Sequence, residues 1–138
     1  MTIVVAEDEP AIRLVLANKL KNAGYVVHTA ANGADGLALV RSVRPDLIVT
    51  DFEMPRMDGL AMARALYQDE ATRSIPLIVL SARGHRLGSA EASDTNVQHM
   101  LMKPFSMREV LSIVADYCPS QMLSQPSAGE KPELGAAA

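Results

Sequence analysis

Glu7, Asp8 and Glu9 form an acidic triplet early in the chain, Asp51 and Glu53 bring two further carboxylates, and Ser81, Arg83 and Lys103 add a hydroxyl and two cations. Taken singly, each has an ordinary explanation in loop solvation or in the preference of acidic side chains for helix starts. Taken together they define a chemistry. Carboxylates brought into one cleft raise each other's pKa unless a cation neutralises them. With no cysteine or paired histidine beside these positions, the ligand set is all oxygen, which suits a hard octahedral ion that keeps several waters, Mg²⁺ or alternatively Mn²⁺. A nucleophilic carboxylate, a divalent cation and a lysine suit phosphoryl transfer, where the protein positions groups and neutralises charge on the equatorial oxygens. Ser81 could donate a hydrogen bond to the group that arrives.

Such residues need a scaffold that gathers them. Short apolar runs rich in β-branched residues recur at 2–6, 25–30, 46–50, 76–80 and 98–102 and predict five strands. Helical spacing separates them. Ile12, Val15, Leu16, Lys19, Leu20 and Ala23 form the first pattern, with Pro10 suited to a first turn and Gly24 to a stop. Leu37, Ala38 and Val40 follow Asn32-Gly33, and Leu60, Ala63 and Leu66 follow Gly59. Met107, Val110, Leu111, Val114 and Cys118 predict a last amphipathic helix, capped by Ser106 and broken by Pro119. The stretch 84–94 is sparse in apolar residues and gives the weakest helical pattern. Strands alternating with helices predict an α/β fold in which the continuously apolar strands one, three and four are central, parallel and covered on both faces. In such doubly wound sheets functional groups gather at the carboxyl edge, where Glu7, Asp8, Asp51, Ser81 and Lys103 all fall.

The chain has 138 residues, enough for one domain and a tail, with 49% hydrophobic residues and only 4% aromatic, so the core is expected to be aliphatic. A formal charge of −3 with no basic run argues against direct nucleic-acid contact. The single cysteine excludes an intrachain disulfide, and no segment approaches the roughly 18 apolar residues of a membrane span. A cytoplasmic location without membrane contact is the expectation. Residues 119–138, rich in Pro, Ser, Gly and Ala, read as a disordered tail or linker stub.

Four motifs together, V-V-A-E-D-E-P at 4–10, D-F-E-M-P-x-M-D-G at 51–59, S-A at 81–82 and K-P-F at 103–105, make residues 1–118 resemble the receiver domain of two-component response regulators, such as those of chemotaxis. The resemblance implies a flavodoxin-like five-stranded parallel sheet of order 2-1-3-4-5 with helices on both faces. It implies that Asp51 is the phosphoacceptor, taking a phosphoryl group from a histidine kinase's phosphohistidine or from a small acyl phosphate. It further implies that Asp8 and Asp51 ligate Mg²⁺ directly, that Glu7 holds a metal-bound water, and that the backbone carbonyl at Glu53 is a ligand. Lys103 would pair with the phosphoryl oxygens, the Lys103–Pro104 peptide bond would be cis, and Ser81 would be the switch hydroxyl. Phosphorylation would then change the surface of the fourth helical stretch, the fifth strand and the last helix. A sensor histidine kinase or phosphotransfer protein is the implied donor. The implied receiver of the signal is a downstream protein or an output domain beyond this chain, with the chain monomeric or dimerising on phosphorylation.

One position departs from the pattern. The family's Tyr or Phe three residues before the lysine is Met100, a flexible thioether that fills the gap without a ring rotation. Glu53 and Arg83 stand where side chains could tune the lifetime of an aspartyl phosphate. The chain is expected to be a phosphoacceptor that assists its own phosphorylation and dephosphorylation rather than an enzyme. The alternatives are a pseudo-receiver that binds a partner without phosphorylation, and an aspartate-nucleophile phosphohydrolase, which would want an Asp where Glu53 stands. His28, His85 and His99 have no second ligand at useful spacing, and the methionines read as core fillers.

Overall fold

In the computed structural model the described residues are 1–81 and 94–117. Among them are five strands, β1 (Thr2–Ala6), β2 (Val26–Ala30), β3 (Leu47–Asp51), β4 (Leu77–Ser81) and β5 (Val97–Met102), with helices α1 (Pro10–Asn22), α2 (Gly33–Val43) and α3 (Gly59–Tyr67) between the first four strands and α4 (Met107–Tyr117) after the fifth. Arg83, His85, Cys118, the tail 119–138 and all but the last residue of the stretch 84–94 lie outside the described residues. Among the described residues no helix is long and apolar enough to cross a membrane.

Apolar runs of β-branched residues place β1, β3 and β4 at the centre of a wholly parallel sheet of order β2-β1-β3-β4-β5. The expected flavodoxin-like order is the one found. The strands lie within one residue of the predicted runs, with Asp51 and Ser81 as the last residues of β3 and β4 rather than the first residues beyond them. The order reverses direction after β2, and right-handed crossovers therefore carry helices to opposite faces. On one face Ile3 and Val5 of β1 and Leu47 and Val49 of β3 pack under Leu16 and Leu20 of α1 and Val110 and Val114 of α4. On the other, Val4, Ala6 and Ile48 pack under Val40 of α2 and Met62 and Leu66 of α3. Burying both faces explains why β1, β3 and β4 read as unbroken apolar runs.

The helices begin and end for local reasons. Pro10 starts α1, where its missing N–H costs nothing, and Gly24 follows the helix at φ 101°. The Asn32 side chain accepts from the Asp35 N–H at 2.8 Å to cap α2, and Asp58 accepts from the Ala61 N–H at 2.7 Å to cap α3. Ser106 accepts from the Arg108 N–H at 3.1 Å at the start of α4. Val15 departs from the amphipathic pattern that included it, being 47% exposed beside Leu14 at 61%. Leu16, one position on, takes the core position, while Val15 lines a surface cavity with Ile12, Phe105 and Met107.

Candidate functional site

Side chains alternate across a strand, and that period of two assembles the site. Ile3 and Val5, then Leu47 and Val49, and then Leu101 all face the α1 and α4 side. Continuing each row by two residues gives Glu7, Asp51 and Lys103. The Lys103 ammonium accordingly lies 3.2 Å from Glu7 Oε1 and 3.2 Å from Asp51 Oδ1. Ser81 has the opposite parity, in the row of Leu77 and Val79.

Glu7 is fully buried, and Asp51 is 5% exposed. Glu7 is tied down from three sides: its Oε2 accepts from the Glu9 N–H at 3.1 Å, its carbonyl accepts from Arg13 Nη1 at 2.9 Å, and its N–H donates to the Ala30 carbonyl at 3.0 Å. Asp8 is exposed at the mouth. One carboxylate oxygen from each of Glu7, Asp8 and Asp51 lies within 4.8 Å of the others. Burial first, and then the Glu7 carboxylate, raise Asp51 from its ordinary 3.8 to about 7, against the lowering pull of Lys103. Burial disfavours the Lys103 ammonium, but the Glu7 and Asp51 carboxylates outweigh it and hold the group above its ordinary 10.5. Lys103 is therefore charged, and its charge leaves Asp51 only partly neutralised. Three converging carboxylate oxygens with an under-neutralised, buried member fit a hard divalent cation.

The structure brings together Glu7, Asp8, Asp51 and Lys103 of the residues picked out from the sequence. Ser81 is 1% exposed at the end of the adjacent strand, where its carbonyl accepts from the Lys103 N–H at 2.6 Å. The Lys103–Pro104 bond is cis. Glu53 lies in the loop 52–58 after β3 with an exposed side chain. Met100 is half-buried on β5 opposite Val79. Sequence reasoning missed Arg13, which holds the Glu7 backbone, and the pairing of His99 Nε2 with the Tyr117 hydroxyl at 3.1 Å. Arg13 lies one helical turn after Glu9, a spacing that could have marked it as facing the acidic triplet. His99 and Tyr117 lie on different elements, and no local pattern joins them.

An apolar groove borders the site. A cavity of about 390 Å³ is lined by Ile12, Lys103, Pro104 and Phe105, and a second of about 240 Å³ beside it by Ile12, Val15, Leu16, Phe105 and Met107 among others.

Comparison with known proteins agrees with this geometry. RpaA of Synechocystis sp., a DNA-binding dual master transcriptional regulator, is 36% identical over 112 residues, covering 81% of this chain and 46% of RpaA. Protein PilG of Pseudomonas aeruginosa is 32% identical over 120 residues, covering 87% of this chain and 89% of PilG. The chain thus spans about half the length of RpaA but most of PilG. Among solved structures, the receiver domain of the sensor histidine kinase PA1611 from P. aeruginosa, described with a magnesium ion coordinated in its active site cleft, matches with a TM-score of 0.74 at 28% identity, covering 84% of this chain and 95% of that one. With the family model for the response regulator receiver domain matching residues 3–115 as well, this chain belongs to that family.

Proposed function

We propose that the chain is a phosphorylation-dependent signalling switch whose phosphoacceptor is Asp51. The observation that carries this reading is the Lys103 ammonium placed 3.2 Å from both Glu7 and Asp51, with Asp8 completing the carboxylate cluster. An Asp51 carboxylate oxygen attacks the phosphorus of a phosphohistidine or a small acyl phosphate. The bond from phosphorus to the donor's nitrogen or oxygen breaks, and its electron pair leaves with the donor. Lys103 pairs with the oxygens of the incoming group, and the Ser81 hydroxyl donates to one of them. Mg²⁺, or Mn²⁺ in its place, held by Glu7, Asp8, Asp51 and the backbone carbonyl of Glu53, would neutralise charge on the phosphoryl oxygens. The magnesium described for the PA1611 receiver supports that assignment.

Residues 1–118 form the receiver on this reading, and 119–138 a tail or linker. The donor is a sensor histidine kinase or phosphotransfer protein, for which the groove of Ile12, Val15, Phe105 and Met107 beside Lys103 offers an apolar landing surface. The chain acts on a downstream protein or an output domain; RpaA, of which it matches under half, is named as a DNA-binding transcriptional regulator. It assists its own phosphorylation and dephosphorylation and is not an enzyme acting on other substrates. Met100 in the usual aromatic position favours a second reading, a partner-binding receiver that does not respond to phosphorylation. Intact mass after incubation with acetyl phosphate separates the two. A gain of one phosphoryl group that requires Mg²⁺ and is absent in Asp51→Asn supports the switch; no gain, with Mg²⁺ binding shown by calorimetry, supports the second reading.

A further inference from the structure

The loop 52–58 between β3 and α3 is set at both ends by backbone contacts. At its start the Phe52 N–H donates to the Leu80 carbonyl at 2.7 Å, and the Gly59 N–H closes it onto the Phe52 carbonyl at 2.8 Å. Near its far end the loop meets a different element. A Cβ built on Gly33, the first residue of α2, falls 2.0 Å from the Met57 carbonyl oxygen and 2.7 Å from its carbon. Both are backbone atoms that cannot rotate aside, so a methyl group there displaces the loop by about 1 Å before the contact returns to 3.0 Å. Between these points Arg56 takes φ 69°, a left-handed conformation that a β-branched residue resists.

We propose that Gly33 is a positioning residue for the cation site: the bare N-terminus of α2 is the surface against which the loop 52–58 is set, and that setting aims the Glu53 carbonyl. The inference rests on the metal site proposed above. Glu53 is the second residue of this loop, and the Gly59 N–H, two residues on from Met57, is bonded to the Phe52 carbonyl, so a shift at Met57 is passed to the peptide that leads into Glu53. Gly36 supplies an internal control three residues along the same helix. A Cβ there meets the Met62 sulfur at 3.0 Å and the Ala6 Cβ at 3.3 Å, side chains on the core side of α2 and away from the loop.

The test is Mg²⁺ binding by calorimetry without any phosphodonor, in the full native chain, Gly33→Ala and Gly36→Ala, with circular dichroism confirming the fold. Supporting contacts around a metal site are worth about tenfold in affinity. Gly33→Ala is expected to weaken Mg²⁺ by about that factor, while Gly36→Ala stays within about twofold of the native chain. A folded Gly33→Ala that binds as the native chain does overturns the inference. If the native chain itself binds no Mg²⁺, the metal reading falls and this inference with it. Should Gly33→Ala not fold, Arg56→Gly and Arg56→Val decide from the loop's own side. Both give up the exposed Arg56–Asp35 ion pair, and only valine resists the left-handed turn. Weaker Mg²⁺ binding in Arg56→Val than in Arg56→Gly supports the positioning role; equal affinities overturn it.

Discussion

Asp51 ends β3 with its carboxyl against Glu7 and Lys103, and its ionisation controls both the stability of the metal-free fold and the binding of a cation. Its value is raised from 3.8 to about 7, so the folded chain holds this proton more tightly than the unfolded chain does. The stabilisation is complete below about pH 4, declines as pH rises through the interval, and is lost above about 7. Urea unfolding in a chelator should therefore show stability falling between those limits, with a flatter profile in Asp51→Asn. At pH 8 that variant should be more stable than the metal-free native chain by about 1–3 kcal/mol, because it buries an amide in place of a charge. Cation binding has the opposite dependence. Asp51 must lose its proton to act as a ligand, so Mg²⁺ affinity measured by calorimetry should fall toward about tenfold per pH unit below 7, and should keep a constant value above it. Lys103 lowers the Asp51 value, and Lys103→Ala should accordingly move the midpoint of that profile to higher pH.

Among the elements, the strands were the most legible in sequence because burial on both faces of a parallel sheet leaves unbroken apolar runs, as in Ile3-Val4-Val5-Ala6 and Leu77-Ile78-Val79-Leu80. Asp51 and Lys103 could be placed at strand ends for the same reason, and the period of two then aims them and Glu7 at one another. What could not be read was how far each acid is buried. Glu7 and Asp8 are adjacent and chemically alike, yet one is fully buried and the other exposed, since only Glu7 falls in the row facing Lys103. Helix faces were less certain because a period of 3.6 leaves border positions undecided, and Val15 is such a position. Leu20 lies unambiguously inside, fully buried under β1 and β2, and Leu20→Ala should cost about 2–5 kcal/mol in chemical denaturation. Val15, exposed at the groove, gives a functional test instead. Val15→Glu should slow phosphorylation by a protein donor at least about tenfold while leaving the rate with acetyl phosphate near native, if the groove receives the donor.

At the scale of the whole molecule, the site exists only in the closed sheet. Glu7 and Lys103 are 96 positions apart in the chain and meet because β1 and β5 stand on either side of β3 and β4 in one parallel array. The carboxyl end of β1 contributes Glu7 and Asp8, those of β3, β4 and β5 contribute Asp51, Ser81 and Lys103, and β2 contributes none, while the reversal of strand order after β2 opens the crevice between β1 and β3 in which the acids meet. The four short motifs carried this arrangement in sequence because topology fixes where strand ends lie. Contacts between side chains of separate elements, such as His99 with Tyr117 across β5 and α4, had no such signature. The most direct measurement is to expose the chain to acetyl phosphate with Mg²⁺, reduce the product with borohydride, and map the digest by mass spectrometry, since reduction turns an aspartyl phosphate into homoserine. Homoserine at position 51, absent when Mg²⁺ is chelated, is the expected result; homoserine at Asp8 or another aspartate, with position 51 still aspartate, would contradict the assignment of Asp51 as phosphoacceptor.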